Sequence, residues 1–117
     1  MVVLDSATSI IETTIHPSAV IWINGRQAVV ATIGGEGQLS TCEINRGLEP
    51  EPSYLAEVVD AIGERERVLI LGPSSVRLTL EREYVTAFRR RDRLVDVEPA
   101  GRLEVQTLVE RLRVLAA

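Results

Sequence analysis

The chain has 117 residues, a formal charge of −4 and a hydrophobic share of 45%, enough for one domain that buries about two-thirds of its unfolded surface. It contains no lysine, and all thirteen cations are arginine, which excludes Schiff-base lysines, lysine general bases and Walker-type phosphate lysines. One cysteine and one histidine exclude an internal disulfide and the usual four-ligand structural zinc site. Cys42 reads as a small buried or half-buried strand residue rather than a nucleophile.

No apolar run approaches the roughly 18 residues needed to cross a bilayer. The start, "MVVLDSATSII", lacks the basic region and apolar core of a secretory signal, so a cytoplasmic location without membrane contact is expected. Trp22, Tyr54, Tyr84 and Phe88 are the only aromatic residues, too few to suggest base stacking along a single strand. Charge is uneven. Residues 1–64 carry nine acids and two arginines, whereas residues 65–93 carry eight arginines and four acids. A basic patch is therefore compatible with the acidic total, but a coat for nucleic acid is not.

Residues 18–44 read as three strands. "SAVIWIN" (18–24) is apolar on both alternating faces, as a central strand covered on both sides requires. Asn24-Gly25 predicts a two-residue type I′ hairpin, whose central positions need positive φ. "RQAVVATI" (26–33) returns as the second strand. "GGEG" (34–37) reverses the chain again, because glycine tolerates left-handed angles. "QLSTCEI" (38–44) leaves as the third strand, with Leu39, Thr41 and Glu43 alternating against Ser40, Cys42 and Ile44.

"NRGLEPEPS" (45–53) is a loop. A helix from about Ser53 to Ile62 carries Leu55, Val58, Val59 and Ile62 on one stripe, and Gly63 ends it. "RVLILG" (67–72) suits the interior of a parallel sheet. "GPSS" (72–75) opens a second helix running to about Arg90. Val76, Leu80, Tyr84, Ala87 and Phe88 line its buried face, and Arg82 and Arg89 project almost opposite. Leu78 and Val85, beside those arginines, form a second apolar side. "RLVDVE" (93–98) is the fifth strand, and Pro99-Ala100-Gly101 leads into a third helix that buries Val105, Leu108, Val109, Leu112 and Leu115.

The order βββαβαβα, with a right-handed helical crossover between the last two strands, gives an α/β fold: a five-stranded mixed sheet in the order 3-2-1-4-5, covered by three helices. Residues 18–117 form a single domain. Residues 1–17 stand outside it as an N-terminal arm or extra strand, in which "SIIETTI" suits pairing with an open sheet edge here or in another copy.

This order, with "SAVIWINGRQAVVATI" at its start and "RVLILGPSSVRLTL" in its middle, resembles the central domain of archaeo-eukaryotic peptide-chain release factors. It resembles still more the small bacterial stand-alone relatives of that domain, over about residues 18 to 115. The resemblance implies a ribonuclease H-like topology and a place in translation. In the release factors a hydrolytic Gly-Gly-Gln loop lies between the third strand and the first long helix. The matching stretch here, "EINRGLEPEPSYLAEV", has one glycine, Gly47, and no glutamine. Gly34 and Gly35 come one hairpin too early and, with Gly37, read as a turn, after which Gln38 opens the third strand. None of the family's hydrolytic residues carries over, and the expectation is a protein that is not an enzyme.

Ribonuclease H-like topology also raises metal-dependent cleavage, which needs carboxylates converging on divalent ions. Strand one has no acid, and Glu43, Glu57 and Asp96 fall on three separate elements. They read as solvated surface, so no metal or cofactor is expected.

Two stretches remain as candidate binding sites. Ser74 and Ser75 lie between a parallel strand and a helix, where free amides hold anions; either serine also suits a plain N-cap. Arg89, Arg90, Arg91 and Arg93 form the densest cationic run, with Arg82 on the same side of the helix as Arg89; the run is either a solvated helix end or a set of phosphate contacts. His16 reads as a linker residue and Trp22 as core. The leading expectation is a non-catalytic translation-associated protein that contacts ribosome or tRNA through these arginines. The alternative is a homodimer or other protein-interaction module with no nucleic-acid role.

Overall fold

A computed structural model describes residues 14–89 and 94–117. The elements are β1 (Ser18–Ile23), β2 (Gln27–Ile33), β3 (Leu39–Asn45), α1 (Glu51–Ile62), β4 (Arg67–Gly72), α2 (Val76–Phe88), β5 (Leu94–Pro99) and α3 (Val105–Ala116). They form one five-stranded sheet in the order β3-β2-β1-β4-β5. β1 and β2 pair antiparallel, as do β2 and β3, while β4 runs parallel to both β1 and β5. Order and topology are those expected from the sequence.

Helices on both sides explain why β1 has no polar face: all six of its residues are buried. On one side Ile21, Ile23, Val30 and Ile70 meet Tyr54, Leu55 and Val58 of α1 and Leu80 and Tyr84 of α2. On the other, Val20, Trp22, Val29, Leu69 and Leu71 meet Leu108 and Leu112 of α3. Burial of this apolar surface is the main source of stability.

The first hairpin turns differently from expectation. Asn24, Gly25 and Arg26 all have negative φ, so the turn is not type I′. The Asn24 Oδ1 instead accepts the amides of Arg26 and Gln27, each at 2.8 Å. This side-chain turn leaves the Asn24 carbonyl free, and the Tyr54 hydroxyl takes it at 3.0 Å. Asparagine is thus used for its acceptor rather than its tolerance of left-handed angles.

In the second hairpin the Gly34 amide donates to the Gln38 carbonyl at 3.0 Å and the Gly37 amide to the Gly34 carbonyl at 2.9 Å. Gly37 takes a φ of 89°, where a side chain is strained. Gln38 belongs to the turn and not to β3. Its Oε1 accepts the Glu36 amide at 3.1 Å, and its side chain lies so close over Gly34 that a Cβ there would meet Oε1 at 2.6 Å. The glycine-rich stretch is a hairpin, with its glutamine folded inward as part of the turn.

Several boundaries and burials depart from the sequence reading. α1 starts at Glu51, two residues early, because Pro52 sits in the first turn, where no helical amide is needed. Gly63 ends it with φ 67° and donates to the Val59 carbonyl. α2 starts at Val76 rather than within "GPSS" and ends at Phe88. Ala87 is exposed, and so is Val105 of α3, whose third buried position is Ala116 instead. Cys42 is exposed rather than buried: α1 reaches only as far as Ile44 on β3, and α3 packs on β1 and β2.

The expected N-terminal arm or extra strand lies largely in residues 1–13, outside the described residues. The following stretch is tied down. The His16 amide donates to the Ala116 carbonyl at 2.8 Å, its Nδ1 lies 3.0 Å from Glu66 Oε1, and Ile15 joins the cluster beneath α3.

Candidate nucleic-acid interface

α2 carries the expected interface. Leu80 and Tyr84 are buried, which fixes the helix's rotation. Phe88 packs against Tyr84 with ring centroids 4.9 Å apart. The Tyr84 hydroxyl donates to the Gly63 carbonyl at 2.9 Å and accepts the Arg65 amide at 3.2 Å, so α2 is pinned to the loop after α1. Seven residues return a helix to nearly the same direction, so Arg82 and Arg89 both stand in solvent.

Around Arg82 lies a shallow cleft of about 220 Å³ lined by Glu81, Arg82, Val85 and Thr86. Leu78 is 42% exposed and Val85 half-buried, which gives the second apolar side expected beside the arginines. Arg89 closes the helix in the left-handed conformation, φ 54°, with its amide donating to the Val85 carbonyl at 2.6 Å. It is the one non-glycine residue with positive φ among the described residues. Arg90, Arg91 and Arg93 lie outside the described residues.

Ser74 and Ser75 are at the other end of α2, about 20 Å away along a helix of this length. The two candidate sites are therefore separate. Both serines are exposed, and neither hydroxyl caps the helix. Arg77 folds back instead, donating from Nη1 to the Ser74 carbonyl at 2.6 Å. Its Nε is buried without a partner among the described residues.

Sequence reasoning missed a second set of arginines. The carboxyl ends of β1, β4 and β5 share one end of the sheet with the start of β2 and the end of β3. A cleft of about 650 Å³ opens there, lined by Arg26, Asn45, Arg46, Leu48 and Glu49 among others. Arg46 holds its rim, donating to the Glu49 carbonyl at 2.8 Å and the Gly25 carbonyl at 3.3 Å. Nearby, Arg102 stacks over Trp22 at 5.2 Å and donates to Gln27 Oε1 at 3.0 Å. These arginines are scattered through the chain, and no local run marks them.

The carboxylates do not converge. Glu43 lies on one edge strand, where its Oε2 accepts from Gln27 Nε2. Asp96 lies on the other, where Oδ1 accepts the Val97 amide at 2.8 Å. Glu57 is held above the usual carboxylate range by a hydrogen bond with Glu49 and by that group's charge. No cluster of three potential metal ligands occurs among the described residues, and no described helix is long and apolar enough to cross a membrane.

No family model and no curated protein matches the sequence. Solved structures do match the fold. The Pelota protein of Thermoplasma acidophilum superimposes with a TM-score of 0.63 at 17% identity, covering 94% of this chain and 38% of its own. The archaeal translation termination factor aRF1 gives 0.58 at 16% identity, over 80% and 32% respectively. Dom34 of S. cerevisiae, described as a translation termination-like factor involved in RNA quality control pathways, gives 0.56 at 11%, over 82% and 32%. The chain spans about a third of the length of these proteins. The fold is thus one found in release-factor-like proteins.

Proposed function

We propose that this chain is a non-catalytic, translation-associated protein that contacts ribosomal or transfer RNA through the arginine-rich end of α2. One observation carries the reading: the fold is shared, over 80% or more of the chain, with translation termination and termination-like factors. Arg82 and Arg89 stand in solvent, and the sequence continues the cationic run through Arg90, Arg91 and Arg93. Arginine forks of this kind grip phosphate oxygens. Such a protein works in the cytoplasm, beside the ribosome.

The non-catalytic half of the proposal rests on the loop between β3 and α1. Residues 46–50 hold one glycine and no glutamine, too short a connection for an extended catalytic loop. The nearest approach to Gly-Gly-Gln is the second hairpin, where Gln38 is bonded within its own turn. Filter binding of tRNA across a salt series tests the RNA contact. Affinity should fall linearly on a log–log plot against salt, and Arg82→Glu with Arg89→Glu should weaken it at every salt concentration. Salt-independent binding, or binding untouched by the reversal, contradicts the proposal.

A further inference from the structure

The two edges of the sheet differ in how they are protected. β5 ends in Pro99, carries Asp96 and Glu98, and pairs with β4 through a register irregularity beside Val68. Prolines, charges and bulges of this kind discourage pairing with another chain. β3 has no proline and one charge, Glu43, and pairs with β2 in seven consecutive regular steps. Every β3 side chain but Ile44 is exposed, and no described strand covers its outer side.

The bonding pattern shows which backbone groups are open. The hairpin is bracketed by Gly34 N–Gln38 O at 3.0 Å and Arg46 N–Arg26 O at 2.8 Å. Bonded pairs alternate along an antiparallel ladder, so Ser40, Cys42 and Ile44 bond inward to β2. Leu39, Thr41, Glu43 and Asn45 then direct their N–H and C=O groups outward.

We propose that β3 pairs antiparallel with β3 of a second copy about a two-fold axis through Cys42, joining the two sheets into one. Symmetry and charge select this register. An axis at Thr41 leaves the end of the strand without a strand partner. An axis at Glu43 places that carboxylate against its own copy. The axis at Cys42 uses all seven residues, pairs Glu43 with Thr41 of the second copy, and forms about eight inter-chain backbone bonds. It also sets the two Cys42 residues face to face in a non-bonded pair, with Cα atoms about 4.5 Å apart. α2 packs on β4 and β5, away from this edge, so the pairing neither needs nor blocks the RNA contact proposed above.

Sedimentation equilibrium of the reduced 117-residue chain tests the pairing, beside three substitutions at Thr41. The wild type is a concentration-dependent dimer. Thr41→Pro removes an outward amide that β2 does not use, so it leaves a folded monomer. Thr41→Glu faces Glu43 of the second copy at two symmetric positions and raises the dimer Kd about tenfold, whereas Thr41→Lys lowers it. Dibromobimane, which bridges closely apposed thiols, links the two Cys42 residues of the wild-type dimer. A monomeric wild type, a dimer indifferent to all three substitutions, or a dimer whose Cys42 thiols are not bridged overturns the proposal. The tRNA titration is read separately on the same samples, so loss of one result leaves the other standing.

Discussion

The hydroxyl of Tyr54 donates to the carbonyl of Asn24 across 3.0 Å, tying the first turn of α1 to the tip of the β1–β2 hairpin. The bond exists because the Asn24 side chain has taken over the turn's own amides, which leaves its carbonyl open. Tyr54 is fully buried, so Tyr54→Phe leaves that carbonyl without its donor. The expected cost is about 1–2 kcal/mol, measured as a lower urea midpoint with an unchanged m-value.

The same residue sets an alkaline limit. Burial pushes the Tyr54 phenol far above its ordinary value, and the Arg46 charge pulls it only partly back. Above about pH 10 the unfolded chain releases this proton while the folded chain keeps it. The unfolded state then binds fewer protons, so stability falls as pH rises. The wild type should lose stability above about pH 10, and Tyr54→Phe should decline less steeply. Equal slopes in paired urea titrations refute the assignment.

Gly72 ends β4 against β1. A Cβ there would lie 2.2 Å from the Ile23 carbonyl oxygen, a backbone atom at the end of the central strand. Gly72→Ala should therefore cost about 3 kcal/mol or more through overpacking. Gly25→Ala, with nothing within 4 Å of the new atom, should stay within about 0.5 kcal/mol of wild type. Thermal melts of the pair check both.

Trp22 is the sole tryptophan, and its fluorescence reports on the α3 face alone. Its Nε1 donates to the Gly101 carbonyl at 2.8 Å, with the Arg102 guanidinium 5.2 Å from its ring. Arg102→Ala should cost about 0.5–1 kcal/mol and shift the emission, while Trp22→Phe should cost about 1–3 kcal/mol by orphaning a carbonyl and opening a void.

Strand order and helix placement were legible because they follow from apolar periodicity and connection length, both local. "SAVIWIN" has no polar face, and only a central strand tolerates that. What the sequence concealed was of three kinds. Asn24-Gly25 marked the turn correctly but not its type, because asparagine offers either a left-handed backbone or a side-chain acceptor. Cys42 alternates like a buried strand residue, yet its exposure depends on how far α1 and α3 reach across the sheet. Arg102 on Trp22 and Arg46 on Gly25 join residues far apart in the chain, and no local spacing announces them. At the candidate interface, Arg82 and Arg89 were placed on the exposed face by helical period, whereas the left-handed turn at Arg89 had no sequence signal: arginine has no preference for that conformation.

The most direct test of the translation-associated reading is co-sedimentation with ribosomes from native lysate, at low and high salt, beside the Arg89→Glu, Arg90→Glu, Arg91→Glu triple variant. The wild-type chain should pellet with ribosomes at low salt and be released at high salt, and the folded triple variant should stay in the supernatant. A wild-type chain that remains in the supernatant at low salt, or a variant that pellets as well as the wild type, contradicts it.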